Sequence, residues 1–180
     1  MDFNFSEEQE AVRHLAGEVF TGKANIDRVK QVELSDERID RDLWRELATT
    51  GLLGIALPED LGGGGLGIAE LFVLLEQQGR HVAPVPLWPS TLAAAAIAEF
   101  GTDEQRTALV PGVADGSCFL TIGLEEFGPH TDRDPETAAP ADGGWLLTGA
   151  KAVVPVTHVA HRVNDTATTE TAWRRDQRAT

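Results

Sequence analysis

The chain is expected to be α+β, with an N-terminal all-α domain over residues 1–112 followed over 113–163 by the start of an incomplete, mostly antiparallel β domain. Three observations predict this. Apolar residues recur at helical spacing through the first part of the chain. From Cys118 the period changes to short apolar runs bounded by turn residues, and helices followed by strands argue for segregated layers. From Asn164 onward, NDTATTETAWRRDQRAT holds no Val, Ile, Leu or Phe, so it cannot extend the strand that VPVTHVAHRV begins. Residues 164–180 are therefore read as a disordered tail, with a frameshifted tail as the equal alternative, and the unfinished sheet keeps open edges.

Ser6 and Gln9 have the S-x-x-Q form of a capping box, and Val12, Leu15, Ala16, Val19 and Phe20 mark one face of the helix it opens. Residues 22–41 carry few large apolar side chains and read as a surface loop with short helical pieces. Leu43, Trp44, Leu47 and Ala48 recur at helical spacing, and Gly51 stands where a left-handed residue ends a helix. Pro58 and the run Gly62 to Gly65 make an irregular crossing, after which Ile68, Leu71, Phe72 and Leu75 form a second apolar stripe that Gly79 closes. Pro84, Pro86 and Pro89 force an extended path. Trp88 within it is expected in the core rather than in a ligand pocket, since so large an apolar side chain usually goes inside. Leu92 to Phe100 is helical and stopped by Gly101; Thr102 and Gln105 open another helix, which Pro111 and Gly112 end near Val110. Cys118–Gly123, Trp145–Thr148 and Ala152–Val156 are the strand candidates, separated by the polar, turn-rich EEFGPHTDRDPETAAPADGG.

Gly62, Gly64 and Gly67 satisfy G-x-G-x-x-G after the apolar run Leu52 to Leu57. The surroundings argue against a dinucleotide loop. Pro58, Glu59 and Asp60 intervene and put carboxylates where a pyrophosphate would sit, and VAPVPLWPS stands where a ribose-binding acid belongs. A flexible turn between packed helices is the better reading.

At 180 residues and 42% hydrophobic composition the chain can bury a real core. Its net charge of −14, without a basic run, excludes a nucleic-acid partner. Cys118 is the single cysteine, which leaves no internal disulfide and no cysteine metal cluster. With no apolar leader after Met1 and no long uncharged apolar segment, the expected location is cytoplasmic, away from any membrane.

Four segments in this order, FSEEQEAVRHLAGEVF, WRELATTGLLGIALPEDLGGGGLG, LVPGVADGS and DGGWLLTGAKAVVPVTHVA, resemble the N-terminal half of the acyl-CoA dehydrogenase family of flavoproteins. The resemblance covers roughly residues 3–163. It implies a helical domain, a middle β domain and a C-terminal four-helix domain, with FAD between the last two and an acyl-CoA thioester beside it. It also implies proton removal from Cα by a glutamate and hydride transfer from Cβ to the flavin. That glutamate belongs to the C-terminal domain, so no catalytic residue is assigned here.

The family's T-E-P-x-x-G-S-D-like segment falls on LEEFGPHTD, which puts Leu124 at the flavin-contacting threonine and Glu125 after it. The substrate-contacting serine falls at His130 or Thr131. The family's G-x-K-x-W-I-T segment falls on GAKAVVP: Lys151 agrees, Val153 replaces the flavin-shielding tryptophan, Val154 follows, and Pro155 replaces the threonine. Leu124, Glu125, Val153, Val154 and Pro155 are thus the cofactor-side residues the resemblance implies, and a leucine has no hydroxyl to donate.

The expected function is that of an acyl-CoA dehydrogenase-like oxidoreductase present as an N-terminal, truncated portion and inactive alone. The alternative is a non-catalytic partner subunit of a complete dehydrogenase, in a homo- or hetero-oligomer. Adjacent Glu125 and Glu126 face opposite ways on a strand, which argues against a carboxylate pair. His158 and His161 have spacing that suits a metal only on a helix, so no metal site is assigned.

Overall fold

The computed structural model describes residues 4–127 and 136–169. Helices come first: α1 (Glu7–Lys23), α2 (Ile26–Glu33), α3 (Arg41–Thr49), α4 (Ile68–His81), α5 (Leu87–Phe100) and α6 (Asp103–Ala114). Short strands follow: β1 (Leu120–Gly123), β2 (Glu125–Glu126), β3 (Thr137–Ala141), β4 (Gly144–Thr148), β5 (Lys151–Val153) and β6 (Arg162–Asp165). Helices precede strands, as an α+β chain requires.

Local signals account for most helix starts. The Ser6–Gln9 and Thr102–Gln105 capping boxes both form, each satisfying two backbone donors that a helix N-terminus leaves without partners. Asp40 caps α3 by accepting from the amides of Asp42 and Leu43, both at 3.1 Å. Gly51 follows the α3 C-cap with φ 76°, the left-handed conformation expected of it.

Other boundaries move for reasons that lie outside the local sequence. Gly79 does not close α4: the helix runs to His81, and Val82 takes the left-handed turn at φ 50°. The Gln78 carboxamide ties that turn down by donating to the carbonyls of Ala83 and Val85. The buried face of α4 is Leu71, Val73, Leu74 and Gln77, rotated from the predicted stripe, so Ile68 and Phe72 face outward. Helix α5 begins at Leu87 rather than Leu92, because Pro89 in a first turn removes a donor that has no intrahelical partner anyway. Trp88 is 43% exposed, against its expected place in the core. Helix α6 passes through Pro111 to Ala114, where the amide of Asp115 still reaches the carbonyl of Pro111.

Two apolar clusters make the core. One joins α1, α3 and α4 through Phe20, Leu43, Trp44, Leu47, Leu53 and Leu74; the other joins α5 and α6 through Ala93, Ala94, Val110 and Val113. Phe119 belongs to the first cluster and Leu120 to the second. Successive residues of an extended chain point opposite ways, so entry into β1 fastens both clusters. Trp44 stacks on Phe119 with ring centroids 4.8 Å apart, and its indole N–H donates to the carbonyl of Gly116 at 2.9 Å.

The glycine crossing packs back on the chain before it. The amides of Gly62 and Gly63 donate to Glu59 and Pro58, those of Gly64, Gly65 and Leu66 to Gly54, Leu57 and Ile55, and that of Gly67 to the Glu70 carboxylate. The amides from Gly62 to Gly67 are all occupied, which argues on structural grounds against the dinucleotide reading. A Cβ at Gly63 would lie 2.1 Å from the carbonyl oxygen of Leu57, so only glycine permits the approach.

The strands form three two-stranded ladders among the described residues: β1 with β6, β2 with β5, and β3 with β4. The last two are antiparallel, whereas β1 and β6 run parallel, with Ile122 opposite Asn164 and Gly123 opposite Asp165. Strand therefore continues past Val163, contrary to the tail expected from Asn164. Asn164 holds its place by donating to the carbonyl of Ala93, and Thr168 bridges to Thr137. Backbone pairing supplies what the missing apolar side chains do not. Strands β2 and β3 lie in the segment that composition marks only as polar and turn-rich.

Candidate functional site

The short β2–β5 ladder brings together the residues that the family resemblance singles out. Glu125 pairs with Val153 and Glu126 with Lys151, with a register shift between the two pairs. Leu124 immediately precedes this ladder and is 47% exposed; Val153 within it is 54% exposed. Val154 and Pro155 follow, both half-buried. The carbonyl of Pro155 accepts from the buried Thr121 hydroxyl at 2.6 Å, which fixes the end of β5 against β1. His130 and Thr131, the two alternatives the resemblance offers for the substrate-side serine, lie outside the described residues.

Behind this ladder sits Lys151, whose side chain is 3% exposed. Its ammonium donates to the Glu126 carboxylate and to the carbonyl of Thr166, and to the Thr166 hydroxyl at 3.0 Å. Glu136 Oε2 and Asp165 Oδ1 both stand 3.6 Å from the same nitrogen. Burial alone would depress the Lys151 ammonium, but Glu126 first and then Asp165 and Glu136 outweigh it and hold the group above the ordinary lysine value. Burial, then the adjacent Asp165, pushes the Glu136 carboxyl above the ordinary carboxylate value, with Lys151 pulling the other way.

Sequence reasoning reached Lys151 but not its partners. They come from β2, from the residue before β3, and from the end of β6 and just past it, and no periodicity links such positions. A second missed feature is the Arg28–Asp40 pair, with contacts of 2.6 and 2.8 Å to a carboxylate that is 2% exposed. It lies in the segment read as a surface loop.

The remaining candidates have local partners. Phe119 donates its amide to His161 Nδ1 at 3.0 Å, so the proton of the neutral ring belongs on Nε2. His158 Nε2 is 2.9 Å from the carbonyl of Glu37. Burial raises the Cys118 thiol, which keeps it a poor nucleophile. Glu125 is exposed whereas Glu126 binds Lys151, so the two adjacent carboxylates do not act as a pair.

Leu124, Val153, Val154 and Pro155 offer no side-chain hydrogen-bond donor, and the ionised Glu125 only accepts. The Thr121 hydroxyl close behind them is turned to Pro155, and that of Thr166 to Gly123. These side chains alone do not make a flavin-holding set, and any polar contact to a flavin here comes from backbone groups or from another surface.

Residues 6–117 match the family described as acyl-CoA dehydrogenase, N-terminal domain. This chain belongs to the acyl-CoA dehydrogenase family. It is 33% identical over 156 residues to acyl-CoA dehydrogenase FadE27 of Mycobacterium tuberculosis, covering 86% of this chain and 41% of that protein. Among solved structures it resembles a variant of the Tcur3481–Tcur3483 steroid ACAD, at 54% identity and a TM-score of 0.85 over 92% of this chain and 46% of that one. It also resembles a chain of the ChsE4–ChsE5 complex from Mycobacterium tuberculosis, at 30% identity and a TM-score of 0.86 over 95% and 46%. The sequence thus spans less than half the length of these relatives. Among the described residues, no helix is long and apolar enough to cross a membrane.

Proposed function

We propose that this chain supplies the helical layer and the opening of the flavin-side β domain of an acyl-CoA dehydrogenase, and that it turns over no substrate until another dehydrogenase surface completes the cleft. The observation that carries this reading is the β2–β5 ladder: it lies among the positions that the resemblance puts on the flavin side, and none of their side chains can donate a hydrogen bond. The completed assembly would perform α,β-dehydrogenation of an acyl-CoA thioester with FAD as hydride acceptor, in the cytoplasm. Leu124, Glu125, Val153, Val154 and Pro155 would lie on the flavin side, and His130 or Thr131 on the thioester side.

A second acyl-CoA dehydrogenase subunit would contribute to the completing surface. Two of the similar structures support this, since one is the ChsE4–ChsE5 complex and the other carries the paired name Tcur3481–Tcur3483. Native co-purification tests it: a dehydrogenase-type subunit in stoichiometric amount is the expected result, and recovery of this chain by itself overturns the partner reading. Purified chain with added FAD and an acyl-CoA is expected to show no turnover, and measurable turnover would refute the requirement for a second surface.

A further inference from the structure

The Lys151 cluster holds three carboxyl groups against one ammonium, and the ammonium has no proton left for two of them. Its three N–H donors go to Glu126, the carbonyl of Thr166 and the Thr166 hydroxyl. Glu136 and Asp165, each 3.6 Å away, receive only through-space attraction. Asp165 Oδ1 accepts the Thr166 amide at 2.9 Å. Glu136 Oε2 is buried and has no hydrogen-bond partner among the described residues, although its side chain is only 8% exposed. A buried carboxylate oxygen without a donor is costly, and a second carboxylate beside it makes full ionisation costlier still. The missing donor is a proton carried by the pair itself.

We propose that Glu136 and Asp165 share one proton beside Lys151, and that this proton holds the β2–β5 ladder onto β6 and onto Glu136, the residue before β3. The charged groups facing the pair among the described residues are Glu126 from β2 and Lys151 from β5. With the proton bound, the cluster carries one excess negative charge; without it, two, around a lysine and a glutamate that are themselves withdrawn from solvent. Loss of the proton loosens the contact between ladders that no apolar core holds together. The consequence for a cofactor rests on the flavin-side reading of that ladder, whereas the shared proton does not.

A pH titration of glutamate carboxyl carbons by NMR, with the Glu136 signal assigned from its loss in Glu136→Gln, tests the proposal on the chain as it stands. The expected result is a Glu136 midpoint above the ordinary carboxylate range that falls by about one pH unit or more in Asp165→Asn. A midpoint in the ordinary range, or one that Asp165→Asn leaves in place, overturns the proposal. Thermal melts give a second readout that does not need the Asp165 variant to fold. The folded state holds the proton more tightly than the unfolded one, so wild-type stability is lost as pH rises through the folded-state midpoint. The melting temperature of Glu136→Gln relative to wild type should therefore climb as pH rises above the ordinary carboxylate range, and parallel profiles would refute the idea. Neither readout uses flavin, so a chain that takes up no FAD removes the flavin-side reading while the shared proton is decided by its own titration.

Discussion

The helices and the strands of this protein are held together by different forces. Helices α1 and α3–α6 close two apolar clusters in which Phe20, Leu43, Leu47, Leu74 and Val110 are fully buried. The strands form separate ladders, and beyond β1 their apolar side chains mostly face outward: Trp145, Leu146 and Leu147 of β4 are all exposed. Besides the backbone pairing of β2 with β5, the buried ammonium of Lys151 ties that ladder to the end of β6. Apolar burial is non-directional and tolerates small shifts, whereas an ion cluster demands its full set of partners. The helical layer should therefore behave as a self-supporting unit, and the strand layer as one that depends on a few polar contacts.

The largest effect should come from opening the helical core. Phe20→Ala removes a fully buried ring from the first cluster and is expected to cost about 3–5 kcal/mol in urea unfolding. A loss no larger than that of a surface change would refute a self-supporting helical layer. Next comes Lys151→Met, which leaves three carboxyl groups facing one another, at an expected cost of about 3 kcal/mol. Hydrogen exchange should show lost protection in β2, β5 and β6 while α1, α3 and α4 keep theirs. Loss of protection throughout the chain would mean that the two layers are one cooperative unit.

Arg28→Ala sharpens the comparison, because it places a polar dependence inside the helical layer. Burial pushes the Asp40 carboxyl up, but Arg28 and the amides of Leu43 and Asp42 outweigh it and hold the group below the ordinary aspartate value. A depressed carboxyl contributes stability that is present above the ordinary aspartate range and lost as pH falls through the folded-state value. Removing Arg28 should cost about 1–3 kcal/mol at neutral pH, since the two capping amides remain, and should flatten the acid limb of the stability profile. An unchanged acid limb would assign the shift to the caps alone. The smallest effect belongs to Leu146→Ala, expected within about 0.5 kcal/mol because the side chain is already in water. A larger loss would show that β4 is covered in solution, and a dilution series would then separate self-association from contacts within the chain.

What the sequence disclosed follows the range of the interactions involved. The capping boxes at Ser6 and Thr102 and the left-handed Gly51 were legible because each signal lies within one turn of its effect. The exposure of Phe72 and Trp88 was not, since apolar periodicity says which residues prefer burial but not what is available to cover them. Strand β6 was hidden for a related reason: Asn164 and Asp165 hold their places by backbone pairing with β1, about forty positions earlier in the chain, and composition cannot report a distant partner. The residues that the resemblance puts on the cofactor side come from motif order rather than from physics, and the ladder register sets one of them, Glu125, opposite another, Val153. The Lys151 cluster draws on chain positions between 126 and 166, beyond the reach of any local pattern.

The glycine-rich crossing carries a lesson about mobility. A run of glycines is commonly taken for a hinge, because each residue has so much conformational freedom to lose. Between Gly62 and Gly67 that freedom has been surrendered completely, with each amide bonded and the backbone pressed against Leu57. The segment is a rivet: its glycines were selected for thinness, not for motion. The link between α3 and α4 is consequently held by its own backbone rather than left to swing.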